Sequence, residues 1–398
     1  MSELVLYGNY ENAKNILPQL KSKGYDLVCF CDNDEKNQNA EFFGYPVLGI
    51  DEVKRISSNF NVYVALEEPA VYEEILKLIK EGVFSEEQIL NEMKEKYISC
   101  DYLENGLVAF TDGIYHCCGD QDTTNYADLP IIPYDNNLFE DVDTFVLNFL
   151  EQKKQIINDI NSGKNTFCTG CRYLREDYWH KTKKIRLLDY SLDDKCNLRC
   201  TYCYKKENGY KHKSVIDVNK MITGFKTCHL VSDQAQVIYA CGEVSIQPKA
   251  DEIISNLQDY EVAFLSNATK YNAKLHDIIK KHSSSIVISL DSGTRETYKR
   301  IKGVDLFDKV CENIKKYSSD GGNVILKYII MEENSNKADL DGFIDICKKS
   351  NVKNIRISRN WFEAEIKNNI KTAAMQLAYK AKRNNIACYN DGTIVCNS

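Results

Sequence analysis

No stretch of the 398 residues comes near the roughly 18 consecutive apolar residues that a membrane-crossing helix requires. The N-terminus, Met-Ser-Glu-Leu-Val-Leu-Tyr-Gly, lacks the basic region and cleavage site of an export signal. No long block of Lys or Arg interrupts a chain whose net charge is −7. These absences argue against a membrane span, secretion, and binding to nucleic acid or an anionic membrane surface, and they lead us to expect a cytoplasmic protein. A disulfide framework would be out of place there, so the 16 cysteines are better explained by metal or cluster ligation. The composition, 43% apolar and 27% charged, is otherwise that of a chain with ample length for two or three domains.

Three of the cysteines stand together in Asp-Lys-Cys196-Asn-Leu-Arg-Cys200-Thr-Tyr202-Cys203. Thiolates at C-x3-C-x2-C spacing on one short loop can hold three irons of a 4Fe–4S cube and leave the fourth open, which a catalytic centre needs. A zinc knuckle is the competing reading, although zinc sites usually draw four ligands from paired C-x2-C motifs. The run resembles the signature of the radical S-adenosylmethionine (radical SAM) enzymes, including the aromatic Tyr202 before the third cysteine.

From Lys184 onward short apolar runs alternate with helical periodicity. The runs are Ile185–Leu188, Val237–Ala240, Val262–Leu265, Ser285–Leu290, Val324–Ile330 and Asn354–Ser358, with helices expected near 215–230, 249–258, 271–282, 304–318, 337–350 and 367–384. Six strand–helix repeats predict a parallel sheet curled into a partial (β/α)6 barrel over 184–398, with its chemistry on loops at the C-terminal strand ends. The radical SAM resemblance continues along these strands. Cys241-Gly242-Glu243 looks like the family's Gly-Gly-Glu motif, so the resemblance implies that Gly242 and Glu243 seat the methionyl amine of SAM. Ser266-Asn267-Ala268 is similar to the Thr-Asn-Gly step that faces SAM. Ser289 and Asp291 are implied contacts for the SAM ribose or the substrate. Lys302 stands where the family places an arginine for the SAM carboxylate, keeping the charge without the bidentate fork.

Residues 1–97 alternate short strands and helices, starting with Leu4–Tyr7, Asp26–Cys31 and Val62–Ala65. This pattern predicts a doubly wound sheet that resembles the small Rossmann-like domain in front of many sugar-modifying enzymes. A dinucleotide fingerprint would want glycines at 8, 10 and 13, where the chain has Gly8, Tyr10 and Ala13. Asp32, at the end of the second strand, reads more simply as a turn residue than as a ribose ligand.

Between them, 98–183 gathers Cys100, Cys117, Cys118, Cys168 and Cys171. Thr111-Asp-Gly113 marks a hairpin turn, Cys168-Thr-Gly-Cys171 a knuckle, and 145–161 a helix joining the two. Trp179 and His180 read as packing residues. The order Cys100, Gly113, Cys118, Cys168, Cys171 resembles the SPASM and twitch auxiliary-cluster modules, although those normally follow the barrel. Family spacing favours Cys118 over Cys117 as the hairpin ligand, and zinc is the alternative metal. The tail from Cys388 through Gly392 to Cys396 repeats the texture of a cysteine hairpin. Cys29, Cys31, Cys228, Cys311 and Cys347 read as core residues.

The resemblance implies reductive cleavage of SAM at a 4Fe–4S cluster and hydrogen abstraction from a substrate. The auxiliary cluster would take up the substrate electron, and a flavodoxin or ferredoxin would supply the reducing electron. A sugar, nucleotide-sugar or other small metabolite fits the N-terminal domain better than a ribosomal peptide does. A peptide-modifying maturase and a zinc-stabilised scaffold without catalysis remain the alternatives.

Overall fold

The computed structural model describes residues 2–8, 10–56, 60–66, 70–91, 94–118, 129–134, 138, 141–180, 183–207, 209–211, 217–240, 242–281, 283–360, 363 and 365–390. Two compact units emerge: Met1–Tyr97 with Glu176–Thr182, and Ile98–Arg175 with Lys183–Ser398. Both are mixed α/β with largely parallel sheets.

In the first unit the elements run β1 (Ser2–Gly8), α1 (Tyr10–Ser22), β2 (Tyr25–Cys31), β3 (Glu41–Phe42), β4 (Tyr45–Leu48), α2 (Ile50–Ile56), β5 (Asn61–Ala65), α3 (Ala70–Lys80) and β6 (Lys94–Ser99). The five-stranded sheet has the order β3-β4-β2-β1-β5, parallel except for the short β3–β4 pair. Its strands are apolar on both sides because both faces are covered. Val5, Tyr7, Cys29, Cys31, Val62 and Val64 pack with Val71, Ile75 and Leu78 of α3. Leu4, Leu6, Leu27 and Phe30 pack with Ala13 and Leu20 of α1. Cys29 and Cys31 are thus core thiols, pushed up to about 11 and about 12 by burial. Asp32 organises a turn: its carboxylate accepts from the Asp34 amide (2.9 Å) and the Asn37 side chain (2.9 Å). Trp179 is buried and donates to the Tyr97 carbonyl.

The second unit continues with α4 (Asp101–Asn105), β7 (Gly106–Ala109), β8 (Ile114–Tyr115), β9 (Ile131–Ile132) and α5 (Val142–Asn161). Next in the chain, β10 (Arg175–His180) pairs with β6. Then follow β11 (Ile185–Tyr190), α6 (Val218–Thr227), β12 (Val231–Tyr239), α7 (Ala250–Asn256), β13 (Glu261–Ser266), α8 (Ala273–Ile279) and β14 (Ser285–Ser289). The rest is α9 (Arg295–Lys302), α10 (Phe307–Tyr317), β15 (Val324–Ile330), α11 (Lys337–Lys349), β16 (Asn354–Arg359), α12 (Asn368–Arg383) and β17 (Ala387–Asn390). Side-chain caps fix where several helices begin. Asp141, Asp217, Asn272, Thr294 and Asn336 each accept a backbone amide of their helix's first turn.

Strands β11 to β17 pair in chain order, all parallel, and β7 adds to the other side of β11 with β8 and β9 beyond it. The sequence sets 98–183 apart as a module, whereas Ile98–Arg175 falls in one compact unit with Lys183–Ser398. Four apolar residues, Gly106–Ala109, find a buried parallel partner in Leu187–Tyr190 and join the larger sheet. The two faces of this sheet differ. Leu188, Tyr190, Val237, Tyr239, Phe264, Ile286, Ile288, Leu326, Tyr328, Ile355 and Ile357 form the helix-packed core. The alternate residues Leu187, Asp189, Ile238, Ala263, Leu265, Ser289, Ile325, Lys327 and Arg356 stay half-exposed. Period-two alternation thus gives the sheet one sealed face and one partly open face, on which Val108, Val287, Ile329 and Ser358 are nonetheless buried. Among the described residues, no helix is long and apolar enough to cross a membrane.

Candidate active site

Cys196, Cys200 and Cys203 lie on the loop that leaves the C-terminal end of β11, and Cys203 caps a short 3-10 turn over Tyr204–Lys206. Backbone bonds hold this loop at several points. The Arg199 amide donates to the Lys302 carbonyl and the Thr201 amide to the Ile301 carbonyl, both at 2.9 Å, which fastens the loop to the end of α9. Gly303 makes that approach possible. It has φ +73°, and a Cβ there would lie 2.8 Å from Arg199 Cβ and 2.9 Å from the Arg199 carbonyl. The Tyr210 hydroxyl donates to the Cys200 carbonyl (2.9 Å). Burial pushes the Cys200 thiol up to about 11, with Lys302 pulling the other way. Cys196 and Cys203 both act on that thiol electrostatically. Among the described residues, no group of three or more His, Cys, Asp or Glu side chains is drawn together tightly enough to hold a single metal ion.

Beside the loop stands the turn after β12. Gly242 has φ +61°, and a Cβ would lie 2.5 Å from the Lys195 carbonyl and 2.6 Å from that of Asp193. The Glu243 amide donates to the Lys195 carbonyl (2.8 Å), tying the two turns together. Glu243 is wholly buried. Its Oε1 accepts from the Ser245 amide (3.1 Å) and Ser266 Oγ (3.0 Å), and its Oε2 from the Asn267 amide (2.6 Å) and Ser266 Oγ (3.0 Å). Burial raises its pKa against the pull of these donors. Asn267 Nδ2 donates to Asn197 Oδ1 (3.0 Å) and reaches Cys196 Sγ at 3.6 Å. Ala268, at the family's glycine position, has φ +53° and is fully buried.

Asp291, Lys302 and Tyr202 converge, but on one another. Lys302 Nζ donates to Asp291 Oδ2 (2.5 Å) and to the Tyr202 hydroxyl (2.6 Å), and that hydroxyl donates to Asp291 Oδ2 (2.5 Å). Asp291 Oδ1 accepts the Ile329 amide (2.6 Å). Burial is the largest influence on Lys302 and lowers its pKa, but the charges of Asp291, Cys200 and Cys196 and the Asp291 hydrogen bond together outweigh it, for a net rise. Asp291 and Lys302, expected at the SAM site, are here paired with each other and with Tyr202. The pair is a buried internal brace behind the cysteine loop. Ser289, at the end of β14, remains half-exposed on the open face. Gly293 lets α11 approach closely, since a Cβ there would lie 2.0 Å from the Asp339 carbonyl.

The second cysteine set forms around α4 and the β7–β8 hairpin. Cys100, Cys117 and Cys168 are buried, whereas Cys118 and Cys171 are half-buried. Burial, followed by the charges of Cys117, Cys100 and Cys171, pushes the Cys168 thiol well up. Cys100 is raised in turn by burial and by Cys117. Cys117 is buried with Val108 and Tyr115, and the half-buried Cys118, to which family spacing points, packs against the same cluster. Lys153 of α5 is fully buried beside this set and donates to the Tyr102 and Gly106 carbonyls. Burial brings its pKa down to about 7. Cys241, Cys396 and Gly392 lie outside the described residues. Cys388 is half-buried on β17.

Residues 190–346 match the family model of the radical SAM superfamily. Similar curated proteins include the GTP 3′,8-cyclase of Clostridium perfringens (strain SM101 / Type A). It is 27% identical over 184 residues, which cover 43% of this chain and 55% of that protein. The GTP 3′,8-cyclase of Clostridium botulinum (strain Hall / ATCC 3502 / NCTC 13319 / Type A) is 28% identical over 174 residues, covering 42% and 54%. The chain spans about half the length of the curated relatives it matches. Among solved structures, Streptococcus suis SuiB is similar at a TM-score of 0.43 and 13% identity, over 67% of this chain and 57% of that one. Native anSMEcpe with bound AdoMet is similar at 0.40 and 14%, over 52% and 63%. The matched span takes in the cysteine loop, the Gly242–Glu243 turn and the ends of β13 and β14, and the chain therefore carries a radical SAM domain.

Proposed function

We propose that Cys196, Cys200 and Cys203 bind three irons of the domain's 4Fe–4S cluster and that the Gly242–Glu243 turn and Asn267 seat SAM against the fourth. Bound there, a reduced cluster would supply the electron for cleavage of the SAM sulfonium and so a 5′-deoxyadenosyl radical able to take a hydrogen atom from substrate. The donor set fits this pair: three thiols on one loop, and beside it a buried carboxylate able to meet the methionyl ammonium. The observation that carries the reading is Glu243. A carboxylate with no solvent exposure, fixed by two backbone amides and tied through its own amide to the cysteine loop, is a preformed seat for a cation next to the cluster. Lys302, Asp291 and Tyr202 then position the loop from behind.

The finer reading takes β11–β16 as a partial (β/α)6 barrel and the N-terminal sheet as Rossmann-like. Cys100, Cys117, Cys168 and Cys171 would carry a second cluster that accepts the substrate electron, and a flavodoxin or ferredoxin would reduce the first. The substrate class we favour is a small hydroxylated metabolite, a sugar, nucleotide or nucleotide-sugar. The similarity to proteins named GTP 3′,8-cyclase supports a nucleotide-sized ligand over a peptide. The test is anaerobic: reconstituted protein, dithionite and SAM yield 5′-deoxyadenosine, and Cys200→Ala yields none. Iron-loaded wild type that leaves SAM intact would sink the reading.

A further inference from the structure

Asp189 is the one acid on the open face of β11, and none of the preceding roles uses it. It stands one residue before the strand's end, with Val108 of β7 and Ile238 of β12 as its register partners. Its chain neighbours Leu188 and Tyr190 point into the helix-packed core, so Asp189 points the other way, towards the face that holds Ser289. Oδ1 is out of solvent and has no hydrogen-bond partner. Burial pushes the carboxyl up to about 6. Tyr102 lies close enough to feel the Asp189 charge, along with those of Cys118, Cys117 and Cys100. The acid therefore sits on the strand that feeds the SAM cysteines, and Tyr102 lies within electrostatic reach of both it and the hairpin cysteines.

A buried acceptor without a donor is a stability liability, and native structures leave few of them. Such a group is understandable where a ligand supplies the missing donor. The surroundings indicate which kind: apolar Val108 and Ile238 flank the carboxylate in register, and the aromatic Tyr102 stands beside it. An apolar and aromatic wall around one fixed acceptor suits a ring that carries hydroxyls.

We infer that Asp189 is a substrate-binding residue whose carboxylate accepts a hydrogen bond from a sugar-ring hydroxyl. This deepens the small-metabolite reading above and rests on it. The hydroxyl belongs either to the hexose of a nucleotide-sugar or to the ribose of a nucleotide, and UDP-glucose and GTP are the probes that separate the two.

The experiment is thermal unfolding of the full reconstituted chain, wild type against Asp189→Asn, alone and with each probe at saturating concentration. Relief of the unpartnered Oδ1 raises the ligand-free Tm of the variant by about 2–4 °C. One probe raises the wild-type Tm, and the variant loses that rise. A shift with UDP-glucose assigns the hexose, and a shift with GTP assigns the ribose. The inference is overturned if Asp189→Asn lowers the ligand-free Tm, if the variant keeps the wild-type response, or if neither probe moves the wild type. Iron content and 5′-deoxyadenosine formation by the same wild-type preparation report separately on the radical reading.

Discussion

Lys302 and Asp291 form an ion pair at 2.5 Å with side chains 1% and 0% exposed, and the Tyr202 hydroxyl closes it into a triangle. Tyr202 belongs to the cysteine loop and Lys302 ends α9, whose last carbonyls hold the loop backbone. Removing one partner strands a buried charge, which costs about 3–5 kcal/mol. Lys302→Met is expected to lose stability in that range by chemical denaturation and to bind less iron on reconstitution. Adding Asp291→Asn recovers part of the loss, so the double variant costs less than the sum of the singles. The pair should be insensitive to ordinary buffers. A lysine with a raised folded pKa contributes fully below its unfolded pKa and loses that contribution only as alkaline pH passes the folded value.

Gly242 and Ala268 both have left-handed backbones near SAM's proposed seat, with φ of +61° and +53°. Their substitutions should act in opposite directions. Gly242→Ala drives a Cβ into the Lys195 and Asp193 carbonyls and pushes the cysteine loop away. Ala268→Gly removes a left-handed strain of about 1–2 kcal/mol and adds back roughly 0.5–1 kcal/mol of unfolded-chain entropy. Denaturation should show clear destabilisation for the first and a gain of up to about 1 kcal/mol for the second. Iron loading should fall only in the first.

Much of this was legible in the sequence, for a physical reason. Strands buried in parallel sheets show as continuous apolar runs, and β15 coincides with the expected Val324–Ile330. The C-x3-C-x2-C loop and Glu243 were readable because their chemistry is local. What could not be read were relationships across long sequence separations. Lys302 and Asp291 are close in sequence, but Tyr202 joins them from about a hundred residues upstream. The motif marks Tyr202 by its aromatic place, and nothing local points from it to Lys302. Asp189 carries no mark in the sequence because its role depends on which strand face is open, and that is decided by where the helices pack. The choice between adjacent Cys117 and Cys118 turns on side-chain direction, which spacing does not encode.

That choice gives a direct measurement. If a second cluster forms at Cys100, Cys117, Cys168 and Cys171, wild type holds about eight irons per chain and Cys117→Ala about four, while Cys118→Ala stays near eight. The reverse result restores Cys118 as the ligand. Zinc in place of the second four irons would make that site structural.

Asp189 should leave a mark on the pH dependence of stability. Its carboxyl is raised from 3.8 to about 6 by burial. A raised acid contributes stability while protonated and loses it as pH climbs through the folded value. Ligand-free wild type should therefore fall behind Asp189→Asn at pH 7.5, still trail it at pH 5, and draw level only near pH 4 and below. Melting curves at these pH values read the convergence, and parallel curves would count against the burial of this carboxyl.

β7 lies hydrogen-bonded to β11, with Val108 opposite Asp189. The strand leading to the SAM cysteines and the strand leading to the hairpin cysteines are therefore neighbours in one ladder, about 4.8 Å apart, without a hinge between them. Such strands open together or not at all. If the hairpin cysteines also hold a cluster, loss of iron from either set should loosen amide protection in both strands at once, so that the two behave in hydrogen exchange as one cooperative unit.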